Sequence, residues 1–561
     1  MRPAPDRLPA EDASTPSFLL SQGLIPETRP AAHRPWRILS NNWRELQSAQ
    51  ASHSPSFYLT QSIKTKFVRT TNGRLPPVTN SPLPDAQPTA PQLARGSIGP
   101  AHIVFFVVAA AAPLASVVGA SPAAFAFGNG AGVPGIYLLA GLLYLVFSVG
   151  FTAMSRFAGS AGGFYTYVAK GLGRPVGVAA ASMAILTYKS IQIAVYVLFG
   201  IFVSGALSHL GVEVVWWVPI IVVKGVIWLC GARNIAFSGK LLGACMLAEV
   251  AILLLLDLGI LLRGGGPAGI NLTSFAPSSV FVPGIGVALV FVVGSFMGFE
   301  ATAIFSEEAR HPERTIPVAT FSAVALIAGF YAFSTWCITL YYGPAAAQDA
   351  ALAGLDSFFF TAAADVLGPW SVATMELLLI VSLFASALSF HNTINRYFFA
   401  LGREGVLHRG LGQVHEVHGS PHIAGRAQSI IALLLLLAFV ISGLDPYAVV
   451  FSWTSAIAVI GILLVQILVS VSIIAYFRSL PQGLGAWPRV IAPSLAVAGL
   501  ALALTVVILN LPLLAGTDNP IVWFLPLIVV AAGLFGLLYA LVLRARRPAL
   551  YEALGQAVAE I

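Results

Sequence analysis

The chain reads as an all-α polytopic membrane protein with twelve transmembrane helices. Three observations predict this. Only 9% of its 561 residues are Asp, Glu, Lys or Arg, against about 25% in soluble globular proteins. The mean hydropathy is +0.84. Apolar segments near the ~20 residues that cross a bilayer recur from Ile103 to the end of the chain. So few charges cannot cover the water-facing surface of a chain this long. A soluble enzyme, a nucleic-acid-binding protein and a disulfide-stapled secreted domain are therefore excluded. The spans are expected to be helical because lipid offers backbone groups no partner. Cys230, Cys245 and Cys337 all fall in apolar runs and read as small buried hydrophobes, with no metal or disulfide framework.

Residues 1–98 are rich in Pro, Ser, Thr and Gln and hold 11 of the 30 basic and 6 of the 23 acidic residues. They read as a disordered cytoplasmic tail or an over-extended translation start. Spans 1 to 5 are expected at Ile103–Phe127, Gly135–Ala153, Val176–Leu207, Val215–Cys230 and Leu241–Leu262, within a unit of residues 99–263. Spans 6 to 10 are expected at Ile285–Phe305, Val318–Tyr342, Val372–Leu401, Ala427–Ile441 and Val449–Tyr476, within residues 264–480. Spans 11 and 12, Val490–Leu511 and Ile521–Leu543, fill residues 481–548, and 549–561 form a cytoplasmic tail. Span 9 is the shortest of these readings.

Basic residues set the orientation. Arg156, Lys170, Arg174, Arg233, Lys240, Arg310, Arg314, Arg403, Arg409, Arg426, Arg478, Arg489, Arg544, Arg546 and Arg547 fall on one side of the alternating spans. Glu213, Asp349, Asp356, Asp365, Asp445 and Asp518 fall on the other, with Arg263 the one basic residue there. The basic side is expected to be cytoplasmic, with both termini inside the plasma membrane.

Two spans carry their own interruptions. Span 1 holds Pro113, Gly119 and Pro122; Pro122 has no N–H for the Val118 carbonyl four residues earlier. Span 6 holds Gly294, Ser295, Phe296, Met297, Gly298, Phe299 and Glu300. A simple kink or a close-packing glycine face would also fit either segment alone. Two interruptions five spans apart fit an inverted repeat with a binding site at the breaks, where helix ends receive charged groups.

Several motifs then carry a resemblance. Gly162-Gly-Phe-Tyr165-Thr-Tyr167 follows span 2. Gly298-Phe-Glu300 is followed by Glu307-Glu308-Ala-Arg310-His-Pro312 and Ile316-Pro317. Phe390-His-Asn392, Arg396-Tyr397 and Ala400-Leu-Gly-Arg403-Glu-Gly405 close span 8. From about Gly96 to Pro548 the sequence resembles the amino acid–polyamine–organocation superfamily, and within it the bacterial amino acid permeases. The resemblance implies a leucine-transporter-like fold: a five-plus-five inverted repeat, broken helices 1 and 6, and two added spans. It implies a substrate amino acid between the breaks. Its carboxylate would meet Ser116, Val117, Val118, Gly119 and Ala120, and its ammonium the carbonyls near Val117 and around Gly294, Ser295 and Phe296, with Gly298 also among the substrate-binding residues. The sequence departs from the family where a gating aromatic often stands, at Gly294, which implies either a roomier pocket or a different gate, with Phe296 as the substitute. It departs again in span 5, where Glu249 stands in place of the lysine of some proton-coupled members.

Charges inside the spans need partners, because each costs at least ~2.5 kcal/mol in hydrocarbon. Depth along the helices, at ~1.5 Å per residue, pairs Lys224 with Glu249 or Glu300, and Lys189 with Glu376. Glu249 reads either as a proton carrier or as half of an ion pair with Lys224. Lys189 and Ser386, the latter with Ser382 and Ser389, are the other coupling candidates. Glu300, Glu307, Glu308 and Arg310 read as a cytoplasmic gate network. His408, His415, His418 and His422 read as loop residues, not a metal site. No nucleotide-phosphate loop or cofactor motif is present. The predicted function is secondary active transport of an amino acid, neutral or apolar, by alternating access with proton uptake. The alternatives are an amino acid or polyamine exchanger, and a non-transporting sensor of the same fold. The bilayer is the expected environment and nucleic acid is not an expected partner.

Overall fold

The computed structural model describes residues 103–104, 107–108, 111–158, 163–233, 239–302, 309, 311–415, 418, 420–479, 483–515 and 520–554. The predicted tail 1–98, and Glu307, Glu308 and Arg310 of the predicted gate network, lie outside the described residues. Ten helices among those described are long and apolar enough to cross a membrane. They fall on predicted spans 2, 3 and 5 to 12. We label the span helices in order: α1 Ala115–Phe127, α2 Val133–Ala158, α3 Arg174–His209, α4 Trp217–Ala232, α5 Gly239–Leu262, α6 Ile285–Phe296, α7 Pro312–Tyr342, α8 Trp370–Arg403, α9 His422–Ser442, α10 Ser452–Ser479, α11 Ala492–Leu509 and α12 Phe524–Arg546.

Three features differ from the sequence reading. The predicted short span 9 is a 21-residue helix, α9. Its first turn carries His422 and Arg426, which a hydropathy reading assigns to a loop but which a helix end at the polar boundary accommodates. Shorter than α9 are α4, with 16 residues, or ~24 Å, and α6, with 12. Between α7 and α8, Ala347–Ala353 and Phe358–Leu367 form a pair bent by 107°. Neither piece is long enough to register as a span. Phe358 closes over α1, its ring 5.3 Å from Phe125 and 4.7 Å from Tyr342.

The long, mostly buried α3 packs against α8, α10 and α12, while α2 packs against α7 and α5 lies against α7 and α8. Helices in lipid gain little from apolar burial, so close backbone approach holds them together. A Cβ on Gly461 of α10 would sit 2.0 Å from the Thr187 hydroxyl oxygen of α3. A Cβ on Gly171, in the helix Phe164–Leu172, would sit 2.2 Å from the Ser472 carbonyl. The opposite faces of α4, α9, α11 and α12 expose Val222, Leu434, Leu502 and Phe535, a surface matched to acyl chains. Multi-pass membrane residence follows from this surface and the ten long apolar helices.

Candidate substrate site

Helix α1 is interrupted at Ala112. Its φ of 47° lies in a region alanine rarely occupies, and Pro113 disfavours the α conformation in the residue before it. The Ala111 carbonyl turns aside and accepts the Ser116 hydroxyl at 2.8 Å and the Tyr331 hydroxyl at 3.1 Å. Beyond the break a new helical segment starts. Its Leu114 N–H points at Oε2 of Glu249 on α5, at 3.4 Å, and its Ala115 N–H at Oγ of Ser382, also at 3.4 Å. Ser382 in turn donates to the same Glu249 oxygen at 2.7 Å. A carboxylate at a helix N-terminus is favoured by the helix dipole.

The break expected at Val118 is therefore not there. Ala115–Ala120 winds as one wide π turn, with the Ser121 N–H on the Ser116 carbonyl, and this register absorbs the N–H missing at Pro122. The Val117 carbonyl accepts Ser121 Oγ at 2.6 Å and the Gly119 carbonyl accepts Tyr447 Oη at 2.7 Å. Both are engaged within the protein.

In span 6 the interruption falls later than expected, whereas that in span 1 falls earlier. The helix runs through Gly294, Ser295 and Phe296; Met297 is then extended and Gly298 adopts a φ of 114°. The Gly298 N–H donates to Glu300 Oε2 at 2.9 Å, and Tyr188 donates to Glu300 Oε1 at 2.5 Å. Each break is thus closed by a buried carboxylate, Glu249 brought from α5 and Glu300 from the chain just past Gly298.

A small cavity of about 50 Å³ lies between the two interrupted helices. Ser116 and Ala120 reach it from α1, Gly294 and Ser295 from α6, and Ser386 from α8. These are five of the residues singled out in the sequence. Val117, Val118, Gly119, Phe296 and Gly298 are not in its lining. Phe296 is fully buried against Tyr144, ring centroids 5.0 Å apart, and lies outside the cavity lining. The aromatic walls are Phe291, Phe390 and Phe451, with Phe291 and Phe451 stacked at 5.5 Å. Phe291 precedes Gly294 by three residues, and that helical spacing was available in the sequence. Phe451 and Ser455 come from the start of the tenth span, where no sequence signal marked them. The Ser455 hydroxyl is buried with no protein partner. Among the described residues no charged one lines the cavity.

Gly294 controls the room. A Cβ there would find nothing closer than Val459 Cγ2 at 3.9 Å and Ile191 Cδ1 at 4.0 Å. Gly294→Ala is expected to fold normally and to lower kcat/KM for the largest accepted side chain about tenfold relative to alanine, since one methyl group in a pocket discriminates 10–200-fold. Competition uptake with an amino acid size series reads this, and an unchanged ranking rejects Gly294 as a size filter.

The ion pairs expected from depth do not form. Lys189 donates to Gln192 Oε1 at 3.0 Å, to the Gln428 carbonyl at 3.1 Å and to Gln428 Oε1. Lys224 donates to the Ser429 carbonyl. The two lysines thus end on consecutive residues of α9, and Glu376 faces His209 at 3.1 Å. Depth cannot say which helix faces which, and α9, lying against α4, supplies oxygens nearer than any carboxylate. The sequence reading also passed over Asp257. It stands eight residues after Glu249 on α5, is 1% exposed, and accepts the Ser334 hydroxyl at 2.6 Å. Its place inside an apolar run was the available signal. In the α8–α9 loop the rings of His418 and His422 lie 4.7 and 5.1 Å from that of His415. No group of three His, Cys, Asp or Glu residues among those described is arranged to hold a metal ion.

Known proteins place this architecture. The sequence is 27% identical to cationic amino acid transporter 4 of Mus musculus over 247 residues, 41% of this chain and 36% of that protein. Its identity to the Homo sapiens protein of the same name is 28% over 219 residues, 38% of this chain and 32% of that one. It is 24% identical over 322 residues to the low-affinity putrescine importer PlaP of Escherichia coli (strain K12), 54% of this chain and 67% of that protein. The aligned region spans about a third of the length of the mammalian relatives. The amino acid permease family matches residues 102–547, which take in every span helix described above. The chain belongs to the amino acid permease family.

Proposed function

We propose that the protein is a secondary transporter that carries a neutral amino acid across the cytoplasmic membrane by alternating access, driven by proton uptake. Family membership supports amino acid or polyamine transport in general. One observation carries the finer reading: a cavity with four serine hydroxyls, three phenylalanine rings and no charged side chain among its described lining residues lies between two interrupted helices. The hydroxyls of Ser116, Ser295, Ser386 and Ser455 are the polar groups placed to meet a substrate's ammonium and carboxylate. The rings and aliphatic side chains around them suit an apolar side chain. Glu249 is the proposed proton carrier. It accepts the Leu114 N–H that opens the segment leading into α1, so losing or gaining a proton there changes how firmly that segment is capped. In this reading the chain has twelve spans, α1–α5 and α6–α10 as inverted repeats, and both termini in the cytoplasm.

A second reading is a cationic substrate. The names of the relatives, a cationic amino acid transporter and a putrescine importer, favour it. Glu249 and Glu300 behind the two breaks are then the nearest compensating charges. Labelled leucine, alanine, arginine, lysine and putrescine, offered to proteoliposomes with and without a proton gradient, separate the readings. Gradient-driven uptake of the neutral pair supports the first. Uptake confined to the cations supports the second, and no uptake of any of the five rejects both.

A further inference from the structure

A second hollow lies apart from the substrate cavity, where α8 and α12 end. Arg403, Arg409, Arg547 and Leu550 are among its walls, and its volume is about 860 Å³. Glu404 is the one acidic residue in the lining. It is buried, and its carboxylate accepts the Tyr165 hydroxyl at 2.6 Å. Arg409 and Arg547 are exposed, and among the described residues neither forms an ion pair.

The wall is constructed. Arg174 stacks on the Tyr551 ring at 5.6 Å and donates Nε–H to the Leu554 carbonyl at 3.1 Å, pinning the short helix Pro548–Ala553 in place. Leu550 of that helix packs onto Gly405, where a Cβ would come within 2.6 Å of Leu550 Cδ1. Beside the hollow, α12 exposes Leu534, Leu538, Leu541 and Val542, and this apolar stripe runs to Arg544, Arg546 and Arg547 at the helix end.

We propose that this hollow binds the phosphate-bearing headgroup of an anionic lipid, with Arg409 and Arg547 on the phosphate and the acyl chains along the exposed face of α12. Guanidinium groups match phosphate oxygens in paired hydrogen bonds. Arginines at the end of an apolar span stand at headgroup depth. The adjoining apolar stripe favours a lipid over a free phosphate. The proposal does not depend on which substrate the protein carries.

The test uses the full chain in phosphatidylcholine nanodiscs with a trace of fluorescent phosphatidylglycerol. The double variant Arg409→Ala, Arg547→Ala is expected to weaken phosphatidylglycerol binding about 30-fold. The variant Arg409→Lys, Arg547→Lys, which keeps the charge, is expected to recover most of it, and that recovery separates lost charge from lost fold. Equal phosphatidylglycerol binding by wild type and the alanine variant overturns the site. A third arm adds inorganic phosphate: displacement of the lipid at equal concentration overturns the assignment to a lipid, and persistence of binding supports it.

Discussion

Glu249→Gln is expected to abolish gradient-driven accumulation of substrate while leaving exchange of internal for external substrate intact. Glutamine keeps an acceptor oxygen where the Leu114 N–H and the Ser382 hydroxyl now point, so the α1 segment retains its cap. What it cannot do is take up and release a proton. With one proton moved per substrate, each 100 mV across the membrane is worth ~2.3 kcal/mol, or about 50-fold accumulation. The variant is expected to reach only equal concentrations inside and out. Labelled uptake into proteoliposomes under an imposed potential, set against counterflow without one, measures both quantities. Undiminished accumulation by the variant rejects Glu249 as the carrier. Loss of counterflow as well would assign it a structural role.

Gly298→Ala is the second large effect. The break in α6 rests on a φ of 114° at this residue, a conformation that costs a residue with a Cβ on the order of 1–3 kcal/mol. The variant must either carry that strain or rotate the Gly298 N–H away from the Glu300 carboxylate, which then loses one of its buried donors. Either route lowers the population of the interrupted helix by roughly 5- to 150-fold. A drop in thermal stability in detergent, with loss of uptake, is expected. Wild-type stability together with wild-type uptake would show that the interruption at Gly298 is dispensable.

The positions of these two residues show what a single sequence can disclose. The spans were legible because lipid imposes a length and a composition, and ten of them stand as long helices where hydropathy puts them. The presence of interruptions in the first and sixth spans was legible from Pro113, Gly298 and their neighbours. Their exact places were not. A proline removes one donor, but the chain chose between breaking at Ala112 and widening the turn at Ala115–Ala120, and it did one for Pro113 and the other for Pro122. Partners across helices were the least legible. Glu249 and Lys224 share a depth range, yet Glu249 faces Ser382 of α8 and Lys224 faces Ser429 of α9. Helical rotation decides this, and the apolar residues around both charges are too uniform to reveal it.

The wide turns carry a consequence for reading related sequences. A π turn is an α-helix holding one residue more than its neighbours need, and each residue turns a helix by about 100°. Among the described residues three such turns stand, at Ala115–Ala120, Pro446–Phe451 and Trp487–Ile491. The first two are joined where Tyr447 reaches the Gly119 carbonyl. A relative whose first span is regular will match this one only with a one-residue gap inside 115–120. Without the gap, every position on one side of the turn is compared with a residue that faces a different direction, and Ser116 or Ala120 is matched to a side chain that never sees the cavity.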